Sequence, residues 1–326
     1  MKYKILIERD RNAGTWQEPS ILEPVVWETY RKETPSKLTF KVIKDPTLGF
    51  NEGARVKFMV DGKNVFLGYV FQKSRDKDQL IQVVAYDQLR YLKNKNAYIF
   101  DNITASGLIK RICSDFSLNT GTIEESGYAK PVLFPNDTLF DMIQSCVDET
   151  VMNTGNLFCL YDDFGKLMFR NIKNLKLDYV VRPDTAENFD YNSSIDSNTY
   201  NRIKIQKSSE DKGLADIVVV EANENIKNWG VLQFFEQWGE DQNEAQVKSK
   251  AESLLKLYNS KTRTLGISGC MGDIRVRAGF SVLVQLSLGD IPTLNNYMLV
   301  EEAKHTFEES NHKMDLTFRG GEEFYG

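Results

Sequence analysis

At 326 residues, with 41% hydrophobic and 27% charged side chains, the chain has the composition of an ordinary globular protein of about two or three domains. Its formal net charge of −5 argues against a nucleic-acid binder, which needs concentrated Lys and Arg to release phosphate counterions. The longest apolar runs, such as Ile217-Val-Val-Val220, are strand-sized and far short of a membrane span.

The opening Met1-Lys-Tyr-Lys-Ile-Leu-Ile-Glu8 alternates like a strand and lacks the apolar block of a signal peptide, so a reducing cytoplasm is the expected compartment of synthesis. Cys113, Cys146, Cys159 and Cys270 share no short spacing, and a disulfide framework is not expected there. The first segment, to about Asn96, reads as wholly β. Ser36-Lys-Leu-Thr-Phe-Lys-Val42 places Leu38, Phe40 and Val42 on one face, and Pro19, Pro24, Pro35 and Pro46 fall between strands.

The composition shifts near Asp101. Thr104 is placed to cap a helix running to about Phe116, with Leu108, Ile109, Ile112, Cys113 and Phe116 on one stripe. Thr138-Leu-Phe-Asp141 starts a second, with Leu139, Met142, Ile143, Cys146 and Val147 on its apolar face. Leu157–Tyr161 and Lys166–Phe169 then form a hairpin over Asp162-Asp-Phe-Gly165, whose Asp and Gly suit positive-φ positions. From about Lys176 strands return, the clearest being Tyr200–Ile205, Asp216–Val220 and Trp229–Phe235. A helix between Asn243 and Asn259, with Val247, Ala251, Leu254, Leu255 and Tyr258 at helical spacing, is expected to pack across the closing strands.

One pattern occurs twice. Gly53–Val60, a turn at Asp61-Gly62, Val65–Val70, a charged tip at Lys73 to Asp78 and Leu80–Tyr86 form the first copy. Gly279–Leu286, a turn near Gly289-Asp290, Tyr297–Val300, a charged tip at Glu308 to His312 and Lys313–Phe318 form the second. The expected fold is therefore α+β and mainly β, with two related small β-barrel domains, an inserted α+β domain and one helix crossing the second barrel. Residues 1–96 make the first barrel, 97–175 the insert, and 176–326 the second barrel with its helix near 243–259.

Candidate chemistry is sparse. His305 and His312 flank the last charged tip as a candidate metal pair, but only common carboxylates such as Glu301 or Glu308 offer further ligands, and a structural role is preferred. Cys270 with His305 imitates a thiol–imidazole pair; Gly269-Cys-Met-Gly272 reads more simply as a turn between strands. Asp162-Asp-Phe-Gly165 matches a kinase metal-binding tripeptide without a glycine-rich phosphate loop to accompany it. The acid pairs Glu124-Glu125, Glu301-Glu302 and Glu322-Glu323 suit solvation better than glycoside cleavage. Trp16, Trp27, Trp229 and Trp238 are available for sugar stacking, though aromatics on strands usually fill cores or subunit contacts. No residue is assigned to catalysis, a cofactor or a metal.

Ala85-Tyr-Asp-Gln-Leu-Arg-Tyr-Leu-Lys-Asn-Lys95 followed by Thr104-Ala-Ser, Thr199-Tyr-Asn-Arg-Ile-Lys-Ile205, Trp229-Gly-Val-Leu-Gln233 ahead of Ala251-Glu-Ser-Leu-Leu255, Gly272-Asp-Ile-Arg-Val-Arg-Ala-Gly279, and His305-Thr-Phe with His312-Lys-Met-Asp-Leu316 are the distinctive stretches. With these, the chain from about Trp27 to Phe318 resembles the XkdQ-type proteins of PBSX-like contractile-tailed prophages, which are similar to baseplate hubs of the gene D and gene 27 type. The resemblance implies a non-enzymatic homotrimer below a sixfold tail tube and above a threefold spike. It implies partners among spike, tube, other baseplate and tape-measure proteins. No cofactor, no sequence-specific nucleic acid and no membrane insertion are implied. The expected location is the tail baseplate of a phage or tailocin particle, assembled in the host cytoplasm. The competing expectation is a tail-associated peptidoglycan hydrolase or carbohydrate-binding module. The charged tips, Lys73 to Asp78 and Glu308 to His312, are the segments expected to reach neighbouring subunits.

Overall fold

The computed structural model describes all residues except 10–13, 76, 78–79, 197, 208–215, 239–243, 288–293, 310 and 321–326. It divides into two compact units, Met1–Asp190 with Leu265–Gly326, and Tyr191–Thr264. The fold is mainly β with a smaller helical share, as the alternating sequence requires.

One 13-stranded sheet dominates. In space its first part runs Ile21–Tyr30, Lys37–Ile43, Leu80–Tyr86, Lys63–Arg75, Arg55–Val60, Tyr3–Glu8. Its other part runs Asn188–Ser194, Thr262–Met271, Asn311–Gly320, Leu294–Glu308, Ser281–Leu286, Lys176–Val181. The two spatial orders are the same order of chain segments, so the twofold pattern in the sequence corresponds to a repeated topology. The copies differ at their ends: Tyr3–Glu8 joins its neighbour antiparallel, Lys176–Val181 joins Ser281–Leu286 parallel.

The repeat extends to individual hydrogen bonds. Gly53 N donates to Val70 O at 2.7 Å and Val70 N to Ala54 O at 2.9 Å. In the other copy Gly279 N donates to Val300 O at 2.8 Å and Val300 N to Phe280 O at 2.9 Å. A bulge follows each valine, between Val70 and Gln72 and between Val300 and Glu302. A bulge inserts one unpaired residue and turns the strand; its recurrence at matched sites aligns the copies residue by residue.

The copies meet strand to strand. Leu294–Glu308 pairs along its second half with Ile21–Tyr30, from Glu302 opposite Tyr30 to Phe307 opposite Val25. The pairing path stays open among the described residues instead of closing into separate rings. Beneath the first module, Leu38, Phe40, Val42, Val56, Phe58 and Val83 are fully or almost fully buried, while the intervening Lys37, Thr39 and Lys41 face outward. The turn at Asp61-Gly62 has φ of 46° and 76°, the two left-handed positions of a type I′ hairpin. The turn expected near Gly289-Asp290 lies outside the described residues.

The middle module carries a second, tighter repeat. Strand Lys95–Thr104 leads into helix Ala105–Asp115, and strand Ala129–Thr138 leads into helix Leu139–Thr154. Thr104 and Thr138 cap the helices, accepting from Gly107 N and Asp141 N. The strands pair antiparallel as Lys95↔Thr138, Asn96↔Asp137, Tyr98↔Phe134, Ile99↔Leu133, Phe100↔Val132, Ile103↔Lys130 and Thr104↔Ala129. Counterpart residues swap partners throughout, so a local dyad passes through the Ile99–Leu133 pair. Tyr98 and Val132 turn into the core, whereas Ile99 and Leu133 are 73% and 69% exposed.

In the hairpin Phe158–Asp162 to Leu167–Asn171, positive φ falls on Phe164 and Gly165 rather than on Asp. Gly269-Cys-Met-Gly272 is not a turn: Gly269, Cys270 and Met271 continue strand Thr262–Met271, with Gly269 at φ +66°.

In the smaller unit, Asp216–Glu221, Arg202–Lys207 and Gln233–Trp238 form a sheet of their own. Trp229 ends helix Asn223–Trp229, so the strand expected from that residue starts later. Val247, Ala251 and Leu254 of helix Glu244–Tyr258 cover Ile203 and Ile205. That helix was expected across the second barrel; its apolar stripe instead packs on this separate sheet, whose buried centre supplies the matching apolar face.

Candidate functional site

Two of the distinctive stretches, Ala85–Lys95 and Gly272–Gly279, meet at buried polar contacts. Asp87 ends the Leu80–Tyr86 strand and caps the short helix Gln88–Lys93, accepting from Ser36 N at 3.1 Å and Leu89 N at 3.0 Å. Gln88 donates through Nε2 to Asp162 Oδ2 at 2.8 Å and to Asn119 O at 3.1 Å. Asp162 also accepts from Gly165 N at 2.7 Å, and Arg277 Nη2 donates to the Asp162 carbonyl at 2.6 Å. The Arg277 guanidinium sits 4.8 Å from the Tyr161 ring centre and 5.7 Å from that of Trp27. Ala278 N donates to Thr29 Oγ1 at 2.9 Å, and Arg31 Nε to Glu301 Oε2 at 2.7 Å. This seam draws on both copies of the β repeat and on the middle module.

Burial sets its electrostatics. Asp87, Asp162 and Arg277 are each less than a tenth exposed. Loss of solvation pushes both carboxyls above the ordinary range; Asp162 rises further because the Asp87 charge adds repulsion. Hydrogen bonds to Ser36 and the positive charge of Arg277 hold Asp87 lower. The pair therefore retains a proton at a pH where exposed carboxyls have lost theirs. A closed arrangement of this kind fixes the packing of elements rather than offering a reacting group to a substrate.

The two histidines do meet. His305 Nδ1 lies 2.9 Å from His312 Nε2, and His305 Nε2 lies 2.8 Å from Val276 O. A carbonyl only accepts, so His305 carries its proton on Nε2 and accepts from His312 at Nδ1. Both nitrogens of His305 are thus engaged without an ion, and its ring centre lies 4.7 Å from that of Trp27, the planes tilted by 34°. Among the described residues no three metal-ligating side chains cluster. Burial, then the neighbouring ring, lowers His305 to about 3; burial lowers His312 to about 4.

Cys270 is buried within its strand, its thiol pushed up to about 12 by burial and then by Asp315, while His305 is committed elsewhere. The acid pairs do not converge: Glu124 binds Arg170 Nε at 2.9 Å, and Glu125 binds Lys110 and Ser106. Glu301 faces Arg31, and Glu322-Glu323 lie outside the described residues. Trp16 lies under Lys57 at 4.0 Å, Trp27 is buried, and Trp229 is half-buried at a helix end. Trp238 ends its strand. In the smaller unit, Asn201 of the Thr199–Ile205 block is fully buried, donating to Gly230 O at 2.7 Å and accepting from Leu232 N at 2.9 Å.

Of the charged tips, residues 76, 78 and 310 lie outside the described set. Glu309 N donates to Glu23 of the first module. Lys73 Nζ donates to Phe50 O at 2.8 Å, beside a groove of about 490 Å³ lined by Phe50, Lys73, Ser74 and Arg75. Sequence reasoning missed the Ile99–Leu133 dyad, although Thr104 and Thr138, each followed by an apolar helical stripe, carried its signal.

Residues 25–319 match a family model described as YqbQ-like. The phage-like element PBSX protein XkdQ of Bacillus subtilis (strain 168) is 28% identical over 306 residues, covering 91% of each chain. The 43 kDa tail protein of prophage MuSo2 from Shewanella oneidensis superposes with a TM-score of 0.67 at 13% identity, over 97% of this chain and 98% of that one. The E. coli c3393 protein, a type VI secretion system component with structural similarity to the T4 bacteriophage tail proteins gp27 and gp5, gives 0.56 at 12% identity, over 99% of this chain and 78% of that one. At such identities the superpositions establish the fold.

Proposed function

Because the chain belongs to the YqbQ-like family, we propose that it is a structural, non-enzymatic subunit of a phage-type tail baseplate, a homotrimeric hub that adapts a sixfold tail tube to a threefold spike. The observation that carries this reading is the repeated β module with its matched Gly53–Val70 and Gly279–Val300 hydrogen bonds. Two such modules per chain give a trimer six similar β units, a near-hexagonal face built from a threefold object. In that assembly each module serves as one of the hub's barrels. The middle module and the smaller unit lie outside this repeat and are left to contact other baseplate or tape-measure proteins. The buried seam supports the same reading, since it holds the repeat to the middle module and offers no open catalytic group.

Co-expression with the neighbouring spike and tube proteins tests it. Light scattering is expected to return three copies of this chain with three of the spike, and particles lacking the chain are expected to carry tubes without joined spikes. A chain that stays monomeric with both partners, while tails assemble normally without it, rejects the proposal. Loss of turbidity from purified cell walls would favour a hydrolase instead.

A further inference from the structure

The two β modules are matched closely enough that a contact present in one and absent from the other is informative. In the second module, the Leu294–Glu308 strand passes its bulge at Val300 and then pairs with Ile21–Tyr30, burying the Glu302-to-Phe307 edge. In the first module, Lys63–Arg75 passes its bulge at Val70, and Gln72, Lys73, Ser74 and Arg75 pair with Leu80–Tyr86 on one side only. Among the described residues no strand lies against their other side. The groove lined by Phe50, Lys73, Ser74 and Arg75 opens there.

The loop walls of the two sites also correspond. Phe50 precedes Gly53 by the same interval as Val276 precedes Gly279, and each offers its carbonyl to a side chain of the bulged strand, Lys73 Nζ at 2.8 Å and His305 Nε2 at 2.8 Å. The first module thus presents the frame of a strand-binding site without its strand.

The counterpart of Ile21–Tyr30 identifies the missing strand. Ile21–Tyr30 is the outermost strand of its module, and the same place in the second module belongs to Asn188–Ser194. Asn188–Ser194 pairs with Thr262–Met271 on one side and has no partner strand on the other among the described residues. Phe189 on it is 44% exposed. Charge agrees at one point: Arg75 stands on the open edge and the incoming strand carries Asp190, while Lys73 is already engaged by Glu52 at 3.8 Å. Within one chain the two edges belong to strands seven places apart in the sheet order, and no pairing joins them. A second copy is the natural donor.

We infer that chains join head to tail by strand addition: the Asn188–Ser194 edge of one copy docks on the Gln72–Arg75 edge of the next, repeating between chains the pairing of Ile21–Tyr30 with Leu294–Glu308 inside each chain. The contact is heterologous, as a closed ring requires. This inference rests on the trimeric-hub reading and specifies its interface.

Cysteine cross-linking of the full chain tests it. Ser74→Cys chains are mixed with differently tagged chains carrying Asn188→Cys, Asp190→Cys or Asn192→Cys in turn, and oxidised. At least one pairing is expected to give a disulfide between the two tags at several-fold higher yield than either variant gives alone. In parallel, Arg75→Glu is expected to weaken assembly roughly tenfold or more, and Asp190→Lys in the same chain to recover part of it. Trimers that form normally with Arg75→Glu and yield no mixed disulfide overturn the interface and leave the hub reading standing. A wild-type chain that remains monomeric with its spike and tube partners overturns both.

Discussion

Gly53 and Gly279 occupy the same point of the two β modules with the same backbone, φ being +86° at one and +87° at the other. Their surroundings differ. A Cβ on Gly53 meets nothing within 4 Å, whereas one on Gly279 would lie 2.1 Å from Cys159 Sγ. Gly53→Ala is expected to cost about 1 kcal/mol, the left-handed backbone penalty alone. Gly279→Ala is expected to cost about 2–4 kcal/mol, because the buried Cys159 must also shift. Chemical denaturation of the two variants checks the difference; equal costs would mean that the packing around Gly279 yields freely.

The seam predicts a loss of stability with rising pH. Burial raises Asp162 above its unfolded value, so the folded state binds a proton more tightly than the unfolded chain does. The contribution is complete below the ordinary carboxylate range and is lost as pH climbs through the folded value. Asp162→Asn removes that ionisation. Its melting temperature is expected to change less than the wild type's between mildly acidic and mildly alkaline pH, as read by calorimetry across that series. Parallel curves for both proteins would exclude the buried proton.

The histidine pair predicts the opposite slope at lower pH. His305 is lowered to about 3 and His312 to about 4, both below the ordinary imidazole value near 6.5. Their stabilisation is present above that value and is lost as pH falls from about 6.5 toward the lowered folded values. His312→Gln keeps a donor for His305 Nδ1 and removes one of the two titrations. Its stability is expected to fall less steeply across this acid window. NMR titration of the imidazole protons provides an independent check; histidines titrating near 6.5 would contradict the buried pair.

The local dyad of the middle module makes Thr104 and Thr138 counterparts, each accepting from a backbone N–H of the first helical turn. Thr104→Ala and Thr138→Ala are each expected to cost about 1 kcal/mol. Thr138→Asp should be nearly neutral, since a carboxylate also caps and favours the helix N-terminus. Urea midpoints of the three variants decide it. A negligible effect of Thr138→Ala would show that the helix start is held by packing instead.

What the sequence alone determined is local or repeated. Alternation at Leu38, Phe40 and Val42 specifies a strand, because successive side chains point to opposite faces. The stripe from Leu108 to Cys113 and the caps at Thr104 and Thr138 specify helices, because their hydrogen bonds close within one turn. The module repeat was legible because both copies carry the same order of glycine, hairpin and charged tip. Tertiary structure alone decided the contacts between distant segments. Asp87, Asp162 and Arg277 stand far apart in the chain, and nothing in their neighbours announces a shared seam; only the register of three elements brings them together. His305 and His312 were visible as a cross-strand pair, but Val276 O and Trp27, which fix the tautomer and exclude water, arrive from elsewhere. The helix Glu244–Tyr258 shows the same limit. Its apolar stripe fixed its shape, while the face it covers was chosen by which sheet lay within reach, a property of the whole chain rather than of any segment.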